Sequence, residues 1–271
     1  MKPLILIAGA GYLGSEIARQ ASAFDVITVT KSGDDSHEAC DLSSPDQVEA
    51  LAQNHPQPAV IIHCASSGRG GPEAYREVFV KGSQNLLRSF PNSHLILTSS
   101  TSVYHQTDGS GVDETSTTEP TRETSQLLLE AEKIILSSGG TVARLAGLYG
   151  PGRSVVLRKF LDGSAFIEEF GQRILNQIHV EDAATATLHL ASLKSPGIFN
   201  VSDNHPISQL ECYQGLAKHF DRPLPPVGEK NTSRKRAWTH KKVLNHKIRS
   251  TGWSPAFPSY FEALDTLAPS S

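Results

Sequence analysis

A glycine-rich segment near the start of the chain has the residue types and spacing to bind phosphate groups. Residues 9–14 read GAGYLG, a GxGxxG pattern that follows a short apolar run and precedes a helix-like segment. In that context the first glycine permits a tight turn, the second lets a pyrophosphate approach the backbone, and the third lets helix and strand pack closely. The unpaired N–H groups that begin the helix would face the phosphates. The predicted dinucleotide-binding residues are Gly9, Gly11, Tyr12, Leu13 and Gly14.

The end of the second predicted strand bears on which dinucleotide is bound. Thr30 is followed by Lys31 and Ser32, a cation and a hydroxyl, which suit the 2′-phosphate of NADP. An acidic residue at this place would instead bind the ribose 2′-hydroxyl of NAD. Asp34 and Asp35 could serve NAD if the strand ran longer, and Lys31 could be an ordinary surface lysine. The residues favour NADP as the preferred cofactor, with NAD as the alternative.

Apolar runs alternate with helix-like segments and would position these residues. The predicted strands are 4–8, 26–30, 59–64, 94–99 and 141–145, and the predicted helices are 13–23, 45–54, 73–90 and 123–137. Strands that are continuous apolar runs are typical of parallel sheets covered by helices on both faces. The sequence therefore predicts an α/β fold, a Rossmann-type doubly wound parallel sheet with a small C-terminal substrate lobe.

The alternation becomes irregular after Gly150. Asp182 has the position of an N-cap for a helix that ends at Leu193, a short strand is predicted at 198–201, and a further helix at 208–220. We expect two regions, which are 1–150 as the NAD(P)-binding core and 151–271 as a mixed region that completes the core and forms the substrate lobe.

Composition excludes several classes of protein. The formal net charge of −3 over 271 residues gives no general attraction to nucleic acid or to acidic membranes. Cys40, Cys64 and Cys212 are far apart and form no CxxC pair, which argues against disulfides and a zinc site. Because no apolar stretch has the length of a membrane span or a signal peptide, we expect a cytoplasmic protein with no membrane partner.

Seven ordered segments resemble the extended short-chain dehydrogenase/reductase family, in particular its NAD(P)-dependent epimerase/dehydratase branch. They are GAGYLG (9–14), CDL (40–42), HCA (63–65), TSSTSVY (98–104), RLAGLYGPG (144–152), IHVEDAA (178–184) and IFNV (198–201). The resemblance implies an NAD(P)-dependent epimerase, dehydratase or reductase whose substrate is small and polar, nucleotide sugars included. It also implies cofactor contacts at Asp41, Leu42, Cys64, Ala65, Ser66, Ser99, Ala146 and Leu148.

The family's usual catalytic pair is missing from the positions that should hold it. Catalysis in the family uses a Tyr and, four residues later on one helix, a Lys that lowers the Tyr pKa; here these positions hold Thr124 and Leu128. An Asn that the family often carries on the preceding helix aligns with Phe79. The chain resembles an atypical subgroup that lacks the pair, and Ser100 is what remains of the usual set. Tyr104 could donate a proton instead, so the candidate catalytic residues are Ser100 and Tyr104.

Charged residues of the second half suggest a substrate site and exclude a metal site. Arg153 and Arg173 lie where the family binds substrate and could hold a diphosphate or carboxylate, and 234–236 (RKR) is a further candidate. His179 stands near Glu181 and Asp182, but the resemblance and the predicted capping role of Asp182 explain this segment better than a metal does. We therefore predict no metal.

The sequence is compatible with two functions, an enzyme and a non-catalytic sensor, and it also bears on the oligomeric state. The missing pair favours a non-catalytic NAD(P)-binding sensor or regulator, whereas the retained substrate-lobe segments favour an enzyme. The helix predicted at 123–137 is apolar on more than one face, and the family's dimer often pairs this helix with the preceding one. We therefore predict a homodimer.

Overall fold

A seven-stranded, all-parallel sheet forms the centre of the computed structural model, which describes residues 2–68, 70–229 and 238–267. Its strands, in spatial order, are β3 (Glu38–Ala39), β2 (Asp25–Thr30), β1 (Leu4–Ala8), β4 (Val60–His63), β5 (His94–Ser100), β7 (Thr141–Leu145) and β12 (Gly197–Val201). Each neighbouring pair in this order runs parallel. The predicted Rossmann-type doubly wound sheet is confirmed.

Four short strand pairs lie outside the central sheet, and two of them join a strand that precedes Gly150 to one that follows it. They are β6 (Gly111–Val112) with β15 (Lys242–Val243), β8 (Gly147–Tyr149) with β11 (Gln177–His179), β9 (Ile167–Glu168) with β14 (Val227–Gly228), and β10 (Ile174–Leu175) with β13 (Ile207–Ser208). Strands of two or three residues carry too little periodicity to be recognised in a sequence, and the sequence analysis predicted none of them.

Ten α-helices surround the sheets in the described residues. They are α1 (Tyr12–Gln20), α2 (Pro45–Asn54), α3 (Pro72–Tyr75), α4 (Gly82–Ser89), α5 (Glu123–Ser137), α6 (Val155–Leu161), α7 (Val180–Leu193), α8 (Gln209–Phe220), α9 (His246–Ser250) and α10 (Leu264–Leu267). A π-helical turn, Arg76–Lys81, joins α3 to α4. In the part of the chain that the structure describes, no helix has the length and apolarity needed to cross a bilayer.

Alternate residues of each central strand pack into two separate apolar layers. Leu6 of β1 lies in the layer that α2, α4 and α5 cover, whereas Ile5 and Ile7 lie in the layer that α1 and α7 cover. A parallel sheet buried on both faces needs apolar residues at every position, which explains the continuous apolar runs in the sequence. A third apolar cluster, which includes Phe160, is built from residues of the second half together with Tyr149.

Helix α7 begins earlier than predicted, and the assignment of Asp182 as its N-cap is wrong. His179 occupies the N-cap position, where its Nδ1 accepts the backbone N–H of Glu181 at 3.4 Å. Asp182 lies inside the first turn and accepts the backbone N–H groups of Ala256 and Phe257 at 2.7 and 2.9 Å. The carboxylate therefore anchors a distant segment of the chain instead of the start of its own helix.

The apolar faces of helix α5 find their partners within the chain. Leu127, Leu128 and Ile135 are buried in the layer that contains Leu6, and three further apolar side chains of the helix are half-buried against it. They are Leu129, Ile134 and Leu136. The apolar surface that suggested an intermolecular contact is thus covered without a second copy, and the homodimer stays a prediction.

Candidate functional site

The predicted cofactor residues follow strands whose carboxyl ends share one edge of the central sheet. Strand β1 ends at Ala8 before the glycine loop, β2 at Thr30, β4 at His63 and β7 at Leu145. Because all strands run parallel, the residues that follow them meet at the same edge. Ligands of open α/β sheets bind in the crevice outside such carboxyl ends.

The three glycines of the loop have three different surroundings. Gly9 has a φ of +110°, and a Cβ there would overlap the backbone of Ala65. A Cβ on Gly14 would overlap the carbonyl oxygen of Gly9, so both glycines are required by packing inside the protein. A Cβ on Gly11 would meet nothing within 4 Å. The side of Gly11 beside the start of α1 is therefore open, which leaves room for a phosphate group to approach the backbone.

Residues around the loop support its shape. The Cys64 thiol donates to the Gly9 carbonyl at 3.2 Å, and burial raises the pKa of Cys64 to about 12, so that the thiol keeps its proton. The Leu13 side chain is buried in the layer under α1, and the Tyr12 hydroxyl donates to the carbonyl of Pro151 at 3.1 Å. Ser66 is exposed just after β4.

The residues after β2 carry a charged pair at the predicted ribose position. Lys31 Nζ lies 2.8 Å from Asp41 Oδ2, with the Lys31 side chain 80% exposed and the Asp41 side chain 25% exposed. This hydrogen bond lowers the pKa of Asp41, which therefore stays ionised. Asp34 is already engaged, because its Oδ1 accepts the N–H groups of Ser36 and His37. Strand β2 ends at Thr30, and both the NADP preference and the NAD alternative stay predictions.

Two further residues predicted to contact the cofactor lie mainly inside the protein. The Leu42 side chain is buried, and its carbonyl accepts the Asn85 side-chain amide at 2.9 Å. Ala146, directly after β7, is buried and donates its N–H to the Val201 carbonyl at 2.9 Å. Leu148 lies two residues further on in β8 and is half-buried.

A buried hydrogen-bond network lies behind the end of β5. Ser99 donates to Glu132 at 2.5 Å, and Glu132 forms an ion pair with Arg144 at 2.6 Å. Arg144 donates to the Tyr104 hydroxyl at 3.0 Å, which in turn donates to Asn200 Oδ1 at 2.8 Å. Each of the five side chains is at least nine-tenths buried. A charged side chain that is buried without a partner destabilises the fold. The Glu132–Arg144 pair therefore holds the polar side chains bonded to it in fixed positions.

This network decides where two of the predicted site residues point. The hydroxyls of Ser99 and Tyr104 both donate to partners inside the protein, and burial raises the pKa of Tyr104. The proton-donor role of Tyr104 stays a prediction, although its hydroxyl already has a donor and an acceptor inside the protein. Asn200, which lies on β12 about one hundred residues from Tyr104, was not among the predicted site residues.

Ser100 has a different environment from Ser99. It is half-buried at the end of β5, and its Oγ accepts the N–H of Ser102 at 3.2 Å, which caps a short 3-10 turn. That bond uses the oxygen as an acceptor, so the hydroxyl hydrogen can be donated to a substrate atom.

The wall formed by α5 and the preceding π-helical turn is largely apolar. Leu128 is 4% exposed and belongs to the layer that also contains Val103. The Phe79 ring is stacked on His63 and tilted against Tyr75, with ring centroids 6.1 and 5.1 Å apart. Thr124, one turn before Leu128, is half-buried. Neither Leu128 nor Phe79 has a group that could hold a ribose hydroxyl or shift the pKa of a phenol.

The two predicted substrate-binding arginines lie in different surroundings. The Arg153 guanidinium lies over the Tyr12 ring, 5.0 Å from its centroid, and is therefore beside the glycine loop. Arg173 belongs to the second half, where its Nη1 lies 3.8 Å from Glu168 Oε2. Residues 234–236 lie outside the described part of the chain. No three His, Cys, Asp or Glu side chains of the described residues converge to form a metal site.

Comparisons with known proteins agree with this geometry. Residues 5–202 match the model of the NAD dependent epimerase/dehydratase family. Over 157 residues the chain is 26% identical to the 3-diazoavenalumate denitrifying reductase of a Streptomyces species; the match covers 52% of this chain and 52% of the relative, so the chain spans about half of that protein's length.

Solved structures share the fold over nearly the whole chain. The MoeE5 protein in complex with UDP-glucuronic acid and NAD is 20% identical, with a TM-score of 0.80 over 98% of this chain and 97% of that chain. The dTDP-4-dehydrorhamnose reductase of Bacillus anthracis in complex with NADP is 18% identical, with a TM-score of 0.80 over 98% of both chains. At these identities the likeness shows a common fold.

Proposed function

Because the chain belongs to the NAD-dependent epimerase/dehydratase family, we propose that it is an NAD(P)-dependent oxidoreductase acting on a small polar substrate. The observation that carries the proposal is the glycine cradle, in which Gly9 and Gly14 are packed against backbone while Gly11 is open. That arrangement has no purpose in packing at Gly11, but it fits a bound pyrophosphate. When bound, the nicotinamide supplies a hydride donor or acceptor.

The chain's own residues would hold the cofactor along the carboxyl edge of the sheet. The backbone around Gly11 and the start of α1 would bind the pyrophosphate. Asp41 would lie near the adenine, and the segment from Cys64 to Ser66 would run alongside the ribose. Lys31 and Ser32 would bind a 2′-phosphate. We propose that NADP is preferred, and that Lys31 exchanges part of its contact with Asp41 for this phosphate.

Lys31→Ala is expected to weaken NADP(H) binding by about tenfold or more and to change NAD(H) binding by less than about threefold, since only NADP(H) carries the 2′-phosphate to which Lys31 would donate a charged hydrogen bond. Titration calorimetry with both cofactors measures this difference. Lys133→Ala, which removes an exposed lysine of α5, is the matched control and should leave both affinities unchanged. Equal losses for the two cofactors would contradict the proposed role of Lys31.

The site and the chain's structural relatives support one class of substrate. Structures of the same fold hold UDP-glucuronic acid or act on a dTDP-sugar, and Arg153 and Arg173 could bind a diphosphate or carboxylate. We propose a nucleotide sugar or a similarly polar small molecule. Ser100 would donate its hydroxyl hydrogen to the reacting oxygen of this substrate, because its Oγ is already fixed by Ser102 N–H.

We infer that the residues at the family's Tyr and Lys positions on α5 limit the rate of such a reaction. Thr124 cannot deliver a proton near neutral pH as a tuned phenol does, and Leu128 cannot stabilise a phenolate. General acid–base catalysis is worth about 10²–10⁴-fold, so we propose slow turnover or a reaction that needs no proton from this helix. A non-catalytic NAD(P) sensor is the second candidate, and burial of Leu128 is the observation that favours it.

We expect label to pass from NADPH deuterated at the reactive position into a member of a nucleotide-sugar panel, as read by mass spectrometry. Ser100→Ala should lower the rate by about tenfold or more, equivalent to the loss of one hydrogen bond to the substrate. Tyr104→Phe should change it less, because the Tyr104 hydroxyl faces Asn200 and Arg144. Cofactor binding with no transfer to any panel member would support the sensor instead.

A further inference from the structure

Asn200 joins strand β12 to three distant segments of the chain. Its Oδ1 accepts the Tyr104 hydroxyl at 2.8 Å, and its Nδ2 donates to the Leu244 carbonyl at 3.1 Å. Its backbone N–H donates to Glu114 Oε1 at 2.7 Å. Asn200 is completely buried, so solvent does not compete for these partners. The residue therefore ties β12 to the loop after β5 and to the residues that follow β6 and β15.

The register of the sheet explains why Asn200 and Arg144 meet the same hydroxyl. In the pairing of β5, β7 and β12, Arg144 lies opposite Ser99 on one side and opposite Asn200 on the other. Cross-strand neighbours project from the same face of a sheet. The Tyr104 hydroxyl reaches this face, where it donates to Asn200 and accepts from Arg144 Nη1 at 3.0 Å. The sheet thus presents one acceptor and one donor to the Tyr104 hydroxyl.

The main chain of Tyr104 connects this anchor to Ser100. The Tyr104 N–H donates to the Thr101 carbonyl at 3.3 Å and closes the short 3-10 turn after β5. Ser100 caps the other end of this turn, because its Oγ accepts the Ser102 N–H at 3.2 Å. Lys241 Nζ donates to the Tyr104 carbonyl at 2.9 Å and is a second anchor for the same residue. The turn that begins at Ser100 is therefore held in place at its far end.

We propose that Asn200 is a positioning residue, which holds Ser100 at the carboxyl edge of the sheet through Tyr104 and the 3-10 turn. The proposal rests on the proposed function, because Ser100 is the residue that would donate to the substrate. Asn200 is completely buried, so it acts on the reaction through the groups that it holds. A displacement of about 1 Å in a reacting group can slow a reaction by about 10²-fold. Loss of the Asn200 amide should therefore slow the reaction although Ser100 itself is unchanged.

The kinetic test compares Asn200→Ala with Asn245→Ala in the full-length protein saturated with NADPH deuterated at the reactive position. Asn245 is also buried, and its Nδ2 donates to the main-chain carbonyls of Ser202 and Asp203, away from the loop after β5. With the nucleotide-sugar panel, Asn200→Ala is expected to lower kcat by about tenfold or more and to change the substrate KM by less than about threefold. Asn245→Ala should keep the kcat of the unaltered protein.

Hydrogen exchange gives a second measurement, which needs no substrate. The backbone N–H of Ser102 should exchange at least about tenfold faster in Asn200→Ala than in the unaltered protein, because its bond to Ser100 opens more often. Tyr104→Phe removes the same hydrogen bond from its other side and should also speed this exchange. It carries the test if Asn200→Ala does not fold. Asn245→Ala should change the rate by less than about threefold.

Two results would overturn the proposal. One is an unchanged exchange rate of the Ser102 N–H in Asn200→Ala and Tyr104→Phe. The other is an equal loss of kcat in Asn200→Ala and Asn245→Ala, which would trace the effect to a general loss of stability. Failure of the unaltered protein to bind NADPH, or to transfer deuterium to any panel member, would instead count against the proposed enzyme. The exchange of the Ser102 N–H, measured in the same variants without cofactor, would then decide whether Asn200 positions Ser100.

Discussion

Glu132→Gln is expected to lower the free energy of unfolding by about 3–5 kcal/mol, because it leaves Arg144 as a buried charge without its partner. Both side chains are almost completely buried, and Arg144 donates to Glu132 through two nitrogens. The loss also reaches Ser99, whose hydroxyl donates to Glu132. Chemical denaturation of the cofactor-free protein, followed by circular dichroism, measures the change.

Glu130, which also lies on helix α5, provides a matched control for the Glu132→Gln variant. Glu130, two residues away, forms an exposed pair with Arg76 at 3.6 Å, with both side chains more than 40% exposed. Glu130→Gln should change the free energy of unfolding by less than about 1 kcal/mol, as exposed ion pairs do. The double variant Glu132→Leu, Arg144→Met should be more stable than Glu132→Gln alone, since no charge remains unpaired. A cost below about 1 kcal/mol for Glu132→Gln would show that the pair is solvated.

Gly14→Ala is expected to lower the free energy of unfolding by about 2 kcal/mol or more, because its Cβ would overlap the Gly9 carbonyl and the backbone must move. Gly11→Ala should change it by less than about 0.5 kcal/mol, since the added methyl meets open space. The same Gly11 variant should bind NADP(H) at least about tenfold more weakly, because the methyl occupies the approach of the pyrophosphate. Denaturation and calorimetry on the two variants separate packing from cofactor binding.

The two variants separate the effect of Gly11 on cofactor binding from the effect of Gly14 on stability. Both residues belong to one short motif, and alanine adds the same methyl group at each position. If Gly11→Ala binds cofactor with unchanged affinity, the cradle is not the cofactor site and the proposed function loses its main support. If Gly14→Ala is as stable as the unaltered protein, the close contact with Gly9 relaxes without cost.

The main elements and the glycine loop could be predicted because their signals are local. Helix α5 and strand β7 have the predicted bounds, 123–137 and 141–145. Apolar periodicity marks each element, and the glycines at 139 and 140 separate the end of the helix from the start of the strand. The loop at 9–14 needs particular backbone angles and close packing, which glycine alone permits, so its residues can be recognised without a structure. The edge of the sheet that holds the site follows from the same pattern.

Tertiary structure alone decided which polar residues of the site face inward. Ser99 and Ser100 are identical in type and adjacent, but alternate strand positions lie on opposite faces, so Ser99 meets Glu132 and Ser100 remains at the edge. Lys241, directly before β15, is buried, whereas Lys242, the first residue of β15, is exposed; β15 pairs with β6, a segment about 130 residues earlier. His179 occupies the N-cap position of α7, whereas the Asp182 carboxylate accepts the backbone N–H groups of Ala256 and Phe257. These contacts join residues far apart in the chain, and no local pattern of residue types encodes them.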